Sequence, residues 1–180
     1  ALPSITPGEA RVALITRWLR SFGPGTVTDI KWWTGLPLGQ VRAALSEIAT
    51  EEVDLDGTTG LVLADDVAPV HPPRPWIALL PALDPTTMGW KERHWYLGGH
   101  GSVLFDGNGN AGPTVWCDGR VVGGWAQRSD GAVVLRLLED VGREAGAVVD
   151  AEAARVREWL GDVRVAPRFP TPLQRELFAG

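Results

Sequence analysis

The stretch WIALLPALDPTTMGWKERHWY, residues Trp76–Tyr96, separates two parts of the sequence that have different patterns. Its mostly apolar first part, Trp76–Leu83, predicts a buried strand. Asp84-Pro85 predicts a turn, and Thr86–Tyr96 predicts a short helix rich in tryptophan and cationic side chains. Helical patterns precede this stretch, and strand patterns joined by turns follow it. We therefore expect two domains, joined by the stiff, Pro-rich linker 71–75.

The composition is that of an ordinary folded protein and excludes several classes. The chain has 180 residues, of which 44% are hydrophobic and 22% are charged, enough for one domain or two small ones. Its single cysteine, Cys117, cannot form an internal disulfide, so we expect a cytoplasmic protein. No apolar run reaches membrane-spanning length, and we expect no membrane partner.

Two segments near the start of the chain share one helix-initiation pattern. In residues 6–22 and again in residues 26–34, a threonine is followed three positions later by an acid and by apolar residues at helical spacing. In such a capping box the threonine accepts a hydrogen bond from the helix backbone, and the acid accepts one from the cap residue. We predict a helix over each segment. The pairs are Thr6 with Glu9 and Thr26 with Asp29.

A third helix and a hairpin complete the predicted first domain. Apolar residues recur at helical spacing over 38–49, and Val53–Leu55 and Leu61–Leu63 alternate around a turn at 56–60. Three helices followed by a hairpin are typical of a winged helix, which contains a helix-turn-helix. We predict a winged helix-turn-helix domain over residues 1–70. A small helical bundle with a hairpin is the alternative.

The second domain, residues 76–180, is predicted to be a small antiparallel, barrel-like β domain with flanking helices, which makes the whole chain α+β. Asp118-Gly119 between two apolar runs is a strong hairpin signal. We predict further strands at 103–105, 114–117, 120–127, 133–138 and 163–165, and helices at 150–160 and 171–178.

Several side chains of the predicted winged helix are candidates for DNA contact. The net charge of -5 argues against a nucleic-acid binder, but the first 45 residues contain only two acids and are locally basic. The third helix of a winged helix generally enters the major groove, where Gln reads adenine and Arg reads guanine or neutralises phosphate. The candidates there are Arg17, Lys31, Trp32, Gln40 and Arg42, and Lys91 and Arg93 of the second predicted domain are further candidates; a solvated surface or a protein interface is the alternative.

No catalytic residue, metal or cofactor is predicted. Asp106–Asn110 resembles the start of a calcium-binding loop, but Ala111 and Cys117 stand where that loop needs Gly and Glu. We expect a polar turn there instead. The chain's histidines match no zinc motif; they are His71, His94 and His100.

Three segments resemble one known family. Leu79–Pro85 followed by Trp90–Arg93, and the later Thr114–Trp125, are similar to the start of the C-terminal β domain in the winged-helix family that includes the AlkZ-type alkylpurine DNA glycosylases. Asp29–Gly35 is similar to the second helix of that family's last winged helix. The resemblance implies several winged helices in one chain, followed by a barrel-like domain, in a protein of DNA repair.

The sequence departs from this family at the catalytic motif. Glycosylase members excise alkylated bases and can unhook interstrand cross-links with a Gln–apolar–Gln or Gln–apolar–Asp motif. Here Gln40, Gln127 and Gln174 have neither Gln nor Asp two residues on. We therefore expect the C-terminal part of a longer protein, with duplex DNA and the parent chain's N-terminal domains as partners. A non-catalytic structural or protein-interaction module is the alternative.

Overall fold

The computed structural model describes residues 4–179, which form two compact units of mixed α and β structure. The first unit comprises the chain up to His71 together with Gly89–Glu92. The second comprises Pro72–Met88 and the chain from Arg93 onward. The short segment 89–92 therefore packs with helices that precede it by many residues, which the sequence did not indicate. None of the helices in the described range is long and apolar enough to cross a membrane.

Three helices and one hairpin form the first unit within residues 4–71. They are α1 (Pro7–Phe22), α2 (Val27–Thr34), α3 (Leu38–Leu45), β1 (Thr50–Leu55) and β2 (Thr58–Leu63). The turn between the strands is only Asp56-Gly57, with φ of 52° and 89°, the geometry of a two-residue primed turn. The predicted turn at 56–60 was therefore too long. The third helix ends at Leu45, earlier than the predicted residue 49, and a turn leads from it to Thr50, which pairs with Leu63.

Both predicted capping boxes are confirmed. Thr6 Oγ1 accepts a hydrogen bond from Glu9 N at 3.2 Å, and Thr26 Oγ1 accepts one from Asp29 N at 3.1 Å. In return each acid accepts a hydrogen bond from the backbone N–H of its threonine. Both helices therefore begin where the local pattern predicts.

The core of the first unit lies among the three helices and β2. Its buried side chains are Ile15, Trp18, Leu19, Ile30, Val41, Ala44 and Leu63. Two apolar side chains of these helices lie outside this core: Trp33 is 39% exposed and Leu38 is 37% exposed. Trp33 instead places its ring beside Phe22, with centroids 6.1 Å apart.

An antiparallel sheet organises the second unit. In the described residues its strands are β3 (Ile77–Leu80), β4 (Thr114–Cys117), β5 (Arg120–Gln127) and β6 (Val133–Leu137), and its helices are α4 (His94–Leu97), α5 (Gly101–Leu104), α6 (Gly142–Leu160) and α7 (Pro172–Ala179). The strand order is β3-β4-β5-β6, with β3 and β6 at the edges. Within residues 4–179 the sheet is therefore open, whereas the sequence had led us to expect a barrel-like domain.

Helices cover both faces of this sheet. Val149, Ala153 and Val156 of α6 pack against Leu79 and Val115 on one face. The opposite face carries Gly124, where a Cβ would lie 2.7 Å from Leu173 Cδ2 of α7 and 2.9 Å from Leu104 Cδ2 of α5. A side chain at this position would force the tips of both leucines to move. The second unit therefore has a core on each side of its sheet.

The predicted helix over Thr86–Tyr96 is wrong: this region is a series of turns that ends in the single-turn α4. Asp84 Oδ1 accepts a hydrogen bond from Thr86 N, which forms a turn and not a helix start. Further along, the amides of Lys91 and Glu92 donate to the side chain of Asp29. These donors are not available for the i−4 carbonyls that a helix requires.

Other element boundaries also differ from the sequence prediction. Residues 103–105 belong mostly to α5, and only Phe105 forms a bridge, with Ala111. The predicted strand 163–165 is not part of the sheet, and the Gln127 side chain bonds the backbone of Val163 and Val165. The predicted helix 150–160 begins earlier, at Gly142, and the predicted strand 76–83 is shorter, at Ile77–Leu80.

Candidate nucleic-acid interface

Cationic side chains project from each helix of the first unit. Arg17, Lys31 and Arg42 are exposed, and each is adjacent in sequence to a buried core residue. Since neighbours on a helix point about 100° apart, burial of one directs the next toward the surface. Among the ion pairs of the described residues, none includes these three cations. They are therefore available to an anionic ligand.

Arg20 shows the contrasting case on the same helix as Arg17. Its Nη2 lies 2.7 Å from Asp65 Oδ2, and its Nη1 lies 3.8 Å from Asp66 Oδ2. The hydrogen bond that Arg20 donates holds the pKa of the Asp65 carboxyl below its usual range. This arginine already has an anionic partner within the protein.

Gln40 and Trp32 lie on the same two helices as Arg42 and Lys31. Gln40 is half-buried in the first turn of α3. Trp32 on α2 is 37% exposed, so that part of its ring faces solvent. Together with Arg17, these four residues make five predicted contact residues on the three helices of the first unit.

Lys91 is brought to the first unit by the buried carboxylate of Asp29. Asp29 is only 2% exposed. Its Oδ2 accepts hydrogen bonds from Thr26 N and Thr26 Oγ1, and its Oδ1 accepts from Lys91 N and Glu92 N, both at 2.9 Å. Asp29 therefore holds the backbone of Lys91 beside the start of α2.

Trp90 provides a second attachment for the same segment. Its Nε1 donates to Phe22 O at 3.0 Å, and its ring meets the Phe22 ring edge-on with centroids 5.4 Å apart. Sequence reasoning missed both attachments. The buried acid of the second capping box was the only local signal, and nothing near it in sequence indicates residues 90–92.

Arg93 differs from the other candidates because it belongs to the second unit. Its guanidinium carbon lies 4.7 Å from the centroid of the Phe105 ring, and its Nη1 lies 3.9 Å from Met88 Sδ. The side chain is half-buried. These contacts with Phe105 and Met88 lie within its own unit.

The hairpin of the first unit is acidic. Four carboxylates on it are exposed: Glu51, Glu52, Asp54 and Asp56. Exposed carboxylates repel a phosphate backbone. Contact with nucleic acid would therefore use the helices and not the strands of this unit.

Two polar clusters of the second unit have their charges satisfied within the protein. Glu139 lies 2.8 Å from His100 Nε2 and 2.7 Å from Arg120 Nη2, and the hydrogen bond from His100 is the main cause that lowers the pKa of Glu139. Asp106 accepts hydrogen bonds from Asn108 N and from both the backbone and the side chain of Asn110. Between residues 4 and 179, no group of His, Cys, Asp and Glu has the arrangement of a metal site.

Comparison with known proteins identifies the family. A family model described as DNA glycosylase AlkZ-like matches residues 1–159, most of the chain. The chain belongs to the AlkZ-like family. The resemblance inferred from the sequence is therefore confirmed.

This AlkZ-like chain is similar to a protein sequence and to a solved structure from Streptomyces sahachiroi. It is 29% identical to an interstrand DNA cross-link repair glycosylase of Streptomyces sahachiroi over 91% of this chain and 46% of the relative. It is also similar to the solved structure of the Streptomyces sahachiroi DNA glycosylase AlkZ, with a TM-score of 0.69 and 25% identity over 87% of this chain and 45% of that one. The chain spans about half the length of the relatives that it matches.

Proposed function

We propose that this chain is the DNA-binding C-terminal part of an AlkZ-like glycosylase, and that it provides backbone grip and scaffold in DNA repair. Its partners are duplex DNA and the N-terminal domains of the parent chain, without a small-molecule cofactor. Residues 1–70 act as a winged helix, and residues 76–180 act as the supporting β-rich domain.

The element order of the first unit supports the winged helix. Three helices are followed by a hairpin with a two-residue turn, and α2 and α3 are joined by the short segment from Gly35 to Pro37. In winged helices the third helix generally enters the major groove with its N-terminal residues nearest the bases. Gln40 then approaches a base edge, while Arg42 and Lys31 bind phosphates.

The observation that carries the proposal is the difference between paired and unpaired cations. Arg20 and Arg120 have carboxylate partners, whereas Arg17, Lys31 and Arg42 are exposed without an ion pair among the described residues. Phosphate contacts from such cations supply most sequence-independent DNA affinity. Lys91 and Trp32 are further proposed contacts of the first unit, and Arg93 is a proposed contact of the second unit.

The glutamines support a catalytic site outside this chain. Gln127 is buried and bonds Val163 and Val165, and Gln174 is buried and caps α7 through Thr171. Gln40 is followed by Val41 and Arg42 and so lacks the second polar residue of the family motif. Base excision then requires the part of an AlkZ-like protein that this chain does not span.

The test is duplex binding as a function of salt. We expect measurable binding at low salt and a linear decrease of log K with log salt, and Arg42→Ala and Lys31→Ala should each reduce the slope by about one unit. Arg120→Ala, which removes a cation already paired with Glu139, is the matched control and should leave the slope unchanged. Lack of binding at low salt would exclude the proposal for this chain. Release of an alkylated base by the chain alone would contradict a catalytic site elsewhere.

A protein-interaction module is the second candidate, and the acidic hairpin favours it. Glu51, Glu52 and Asp54 would suit a basic protein surface better than DNA. Replacement of these three acids by glutamine discriminates the two functions. It should strengthen duplex binding if the helices face DNA, and it should leave DNA binding absent if the module binds protein only.

A further inference from the structure

A groove of about 450 Å³ on the first unit is lined by none of the proposed DNA contacts. One side is a stripe of α1 on which Val12, Thr16 and Arg20 follow each other at intervals of four residues. The turn after α3 forms the other side with residues 47–49, and residues 63–65 at the end of β2 complete the lining.

The apolar lining of the groove is held in place by the core. Leu63 is itself a buried core residue, and Val12 and Ile48 are half-buried side chains that pack against that core. The backbone beside them is also fixed, since Ala64 N donates to Ala49 O at 3.0 Å. A partner that contacts side chains already ordered in this way loses little binding energy to ordering the groove.

Acidic side chains give this groove a surplus of negative charge. Asp65 and Asp66 share the single cation Arg20. Glu47 is exposed, and none of the ion pairs within residues 4–179 includes it. The exposed acids of the hairpin extend the same charge along β1. Cations on an occupant would complement these acids, whereas a phosphate backbone would be repelled.

The groove favours a bound helix over an added strand. Backbone groups at its edge already have partners, since Asp66 N donates to Leu63 O and Ala64 N to Ala49 O. Strand addition needs a row of free backbone groups, whereas an amphipathic helix binds through side chains three or four residues apart. Isolated apolar side chains are common on protein surfaces, but an apolar patch rimmed by polar residues is typical of an interaction site.

We propose that this groove docks a basic amphipathic helix of a separate partner protein. Apolar side chains of that helix contact Val12, Ile48 and Leu63, and a lysine or arginine pairs with Glu47. The docking site goes beyond the proposed DNA binding and does not depend on it, because the two sets of residues do not overlap.

The test is an NMR titration of the isotope-labelled 180-residue chain with a synthetic amphipathic peptide of leucine and lysine. A peptide of about 20 residues is long enough to be helical in water. We expect saturable shift changes at the amides of Val12, Thr16, Ile48 and Ala64. A scrambled peptide of the same composition should cause no saturable change there.

Variants separate the charged and the apolar parts of this recognition. Glu47→Gln should weaken peptide binding by about 2- to 5-fold, which corresponds to the loss of one exposed ion pair. Ala49→Arg places bulk and positive charge in the groove and should abolish saturable binding. Glu144→Gln removes another exposed acid, on α6 of the second unit, and is the matched control with unchanged affinity. Unfolding curves confirm that the variants are folded.

Several results would overturn the proposal. They are shift changes confined to other surfaces, equal binding of the scrambled peptide, and no effect of Ala49→Arg. Concentration-dependent shifts at the groove without peptide would assign it to a second copy of the chain. Shielding of Ala64→Cys from thiol reagents in a longer parent protein would assign it to the parent chain. Either assignment also excludes a separate partner.

Failure of the docking site can be told apart from failure of the DNA proposal. Duplex binding without peptide binding removes only the docking site. Peptide binding at the groove without duplex binding removes only the proposed phosphate grip, and the docking site stands.

Discussion

The helices α1 and α2 begin with the same capping box, yet the two boxes have different surroundings. Thr6 and Glu9 are exposed, and their hydrogen bonds join only residues of one helix turn. Thr26 and Asp29 are buried, and Asp29 also accepts hydrogen bonds from the backbone of Lys91 and Glu92. One pattern therefore produces a local helix start in one case and a long-range attachment in the other.

This difference matters for the candidate interface because α2 carries Lys31 two residues after Asp29. The same carboxylate fixes the start of that helix and the backbone of Lys91. A buried anion that receives several hydrogen bonds cannot be removed without leaving donors unsatisfied. We therefore expect the geometry of the cations near α2 to depend on Asp29, and those on α1 to be independent of Glu9.

The largest effect is expected for Asp29→Ala. It removes the acceptor of the Thr26, Lys91 and Glu92 amides in a buried site, so the free energy of unfolding should fall by about 3 to 5 kcal/mol. Urea unfolding measures this loss. Asp29→Asn, which keeps one carbonyl oxygen of similar shape, should lose less. A loss for Asp29→Ala no larger than that for Thr6→Ala would mean that the two boxes are equivalent.

Variants of Trp90 test the attachment of segment 89–92 to Phe22 separately from the Thr26–Asp29 capping box. Trp90→Ala removes the ring packed on Phe22 and the hydrogen bond to its carbonyl, and should cost about 2 kcal/mol for this half-buried side chain. Trp90→Phe keeps a ring without the donor and should cost about 1 kcal/mol. Hydrogen exchange at the amides of Lys91 and Glu92 should accelerate in both variants. Unchanged exchange would show that Asp29 alone holds the segment.

Local patterns were sufficient to predict those elements whose hydrogen bonds are local. Both capping boxes lie where the spacing of threonine and acid predicts them, and Asp118-Gly119 forms the predicted turn, with φ of 47° and 83°. The strands on each side of that turn, β4 and β5, match their predicted bounds. In these cases each donor finds its acceptor within a few residues, or across a single hairpin.

The helix predicted over Thr86–Tyr96 failed for the opposite reason. Its pattern of apolar and cationic residues is compatible with a helix, but the amides of Lys91 and Glu92 bond an acceptor far upstream in the sequence. A competing tertiary acceptor leaves no trace in a local window. The same applies to the predicted strand at 163–165, which the buried Gln127 side chain holds outside the sheet.

The candidate interface was predictable to the extent that it depends on helical spacing. Arg17, Lys31 and Arg42 are exposed because each is adjacent to a core position on a correctly predicted helix. Arg93 was not predictable in this way, because its partner Phe105 is brought close only by the fold of the second unit.

A smaller effect should separate the two cap threonines. Thr26→Ala leaves the buried amide of Asp29 without its acceptor, and should cost about 1.5 kcal/mol. Thr6→Ala exposes the corresponding amide to water, and should cost about 0.5 kcal/mol. Parallel urea unfolding of the two variants measures the difference. Equal losses would indicate that burial does not change the strength of the cap.

The smallest expected effect is the pH dependence of the stability that the exposed Thr6–Glu9 capping box contributes. The hydrogen bond from the Thr6 backbone, followed by that from its side chain, holds the pKa of Glu9 below its ordinary value of 4.5. A lowered folded-state pKa means that this contribution to stability is fully present above the unfolded pKa and is lost as pH falls through the folded value. The advantage of the wild type over Glu9→Gln should therefore be constant near neutral pH and shrink as the solution is acidified below that ordinary value. Thermal unfolding at a series of pH values measures this advantage. If it persists unchanged into strong acid, the neutral side chain caps α1 as well as the carboxylate does, and the exposed box does not depend on charge.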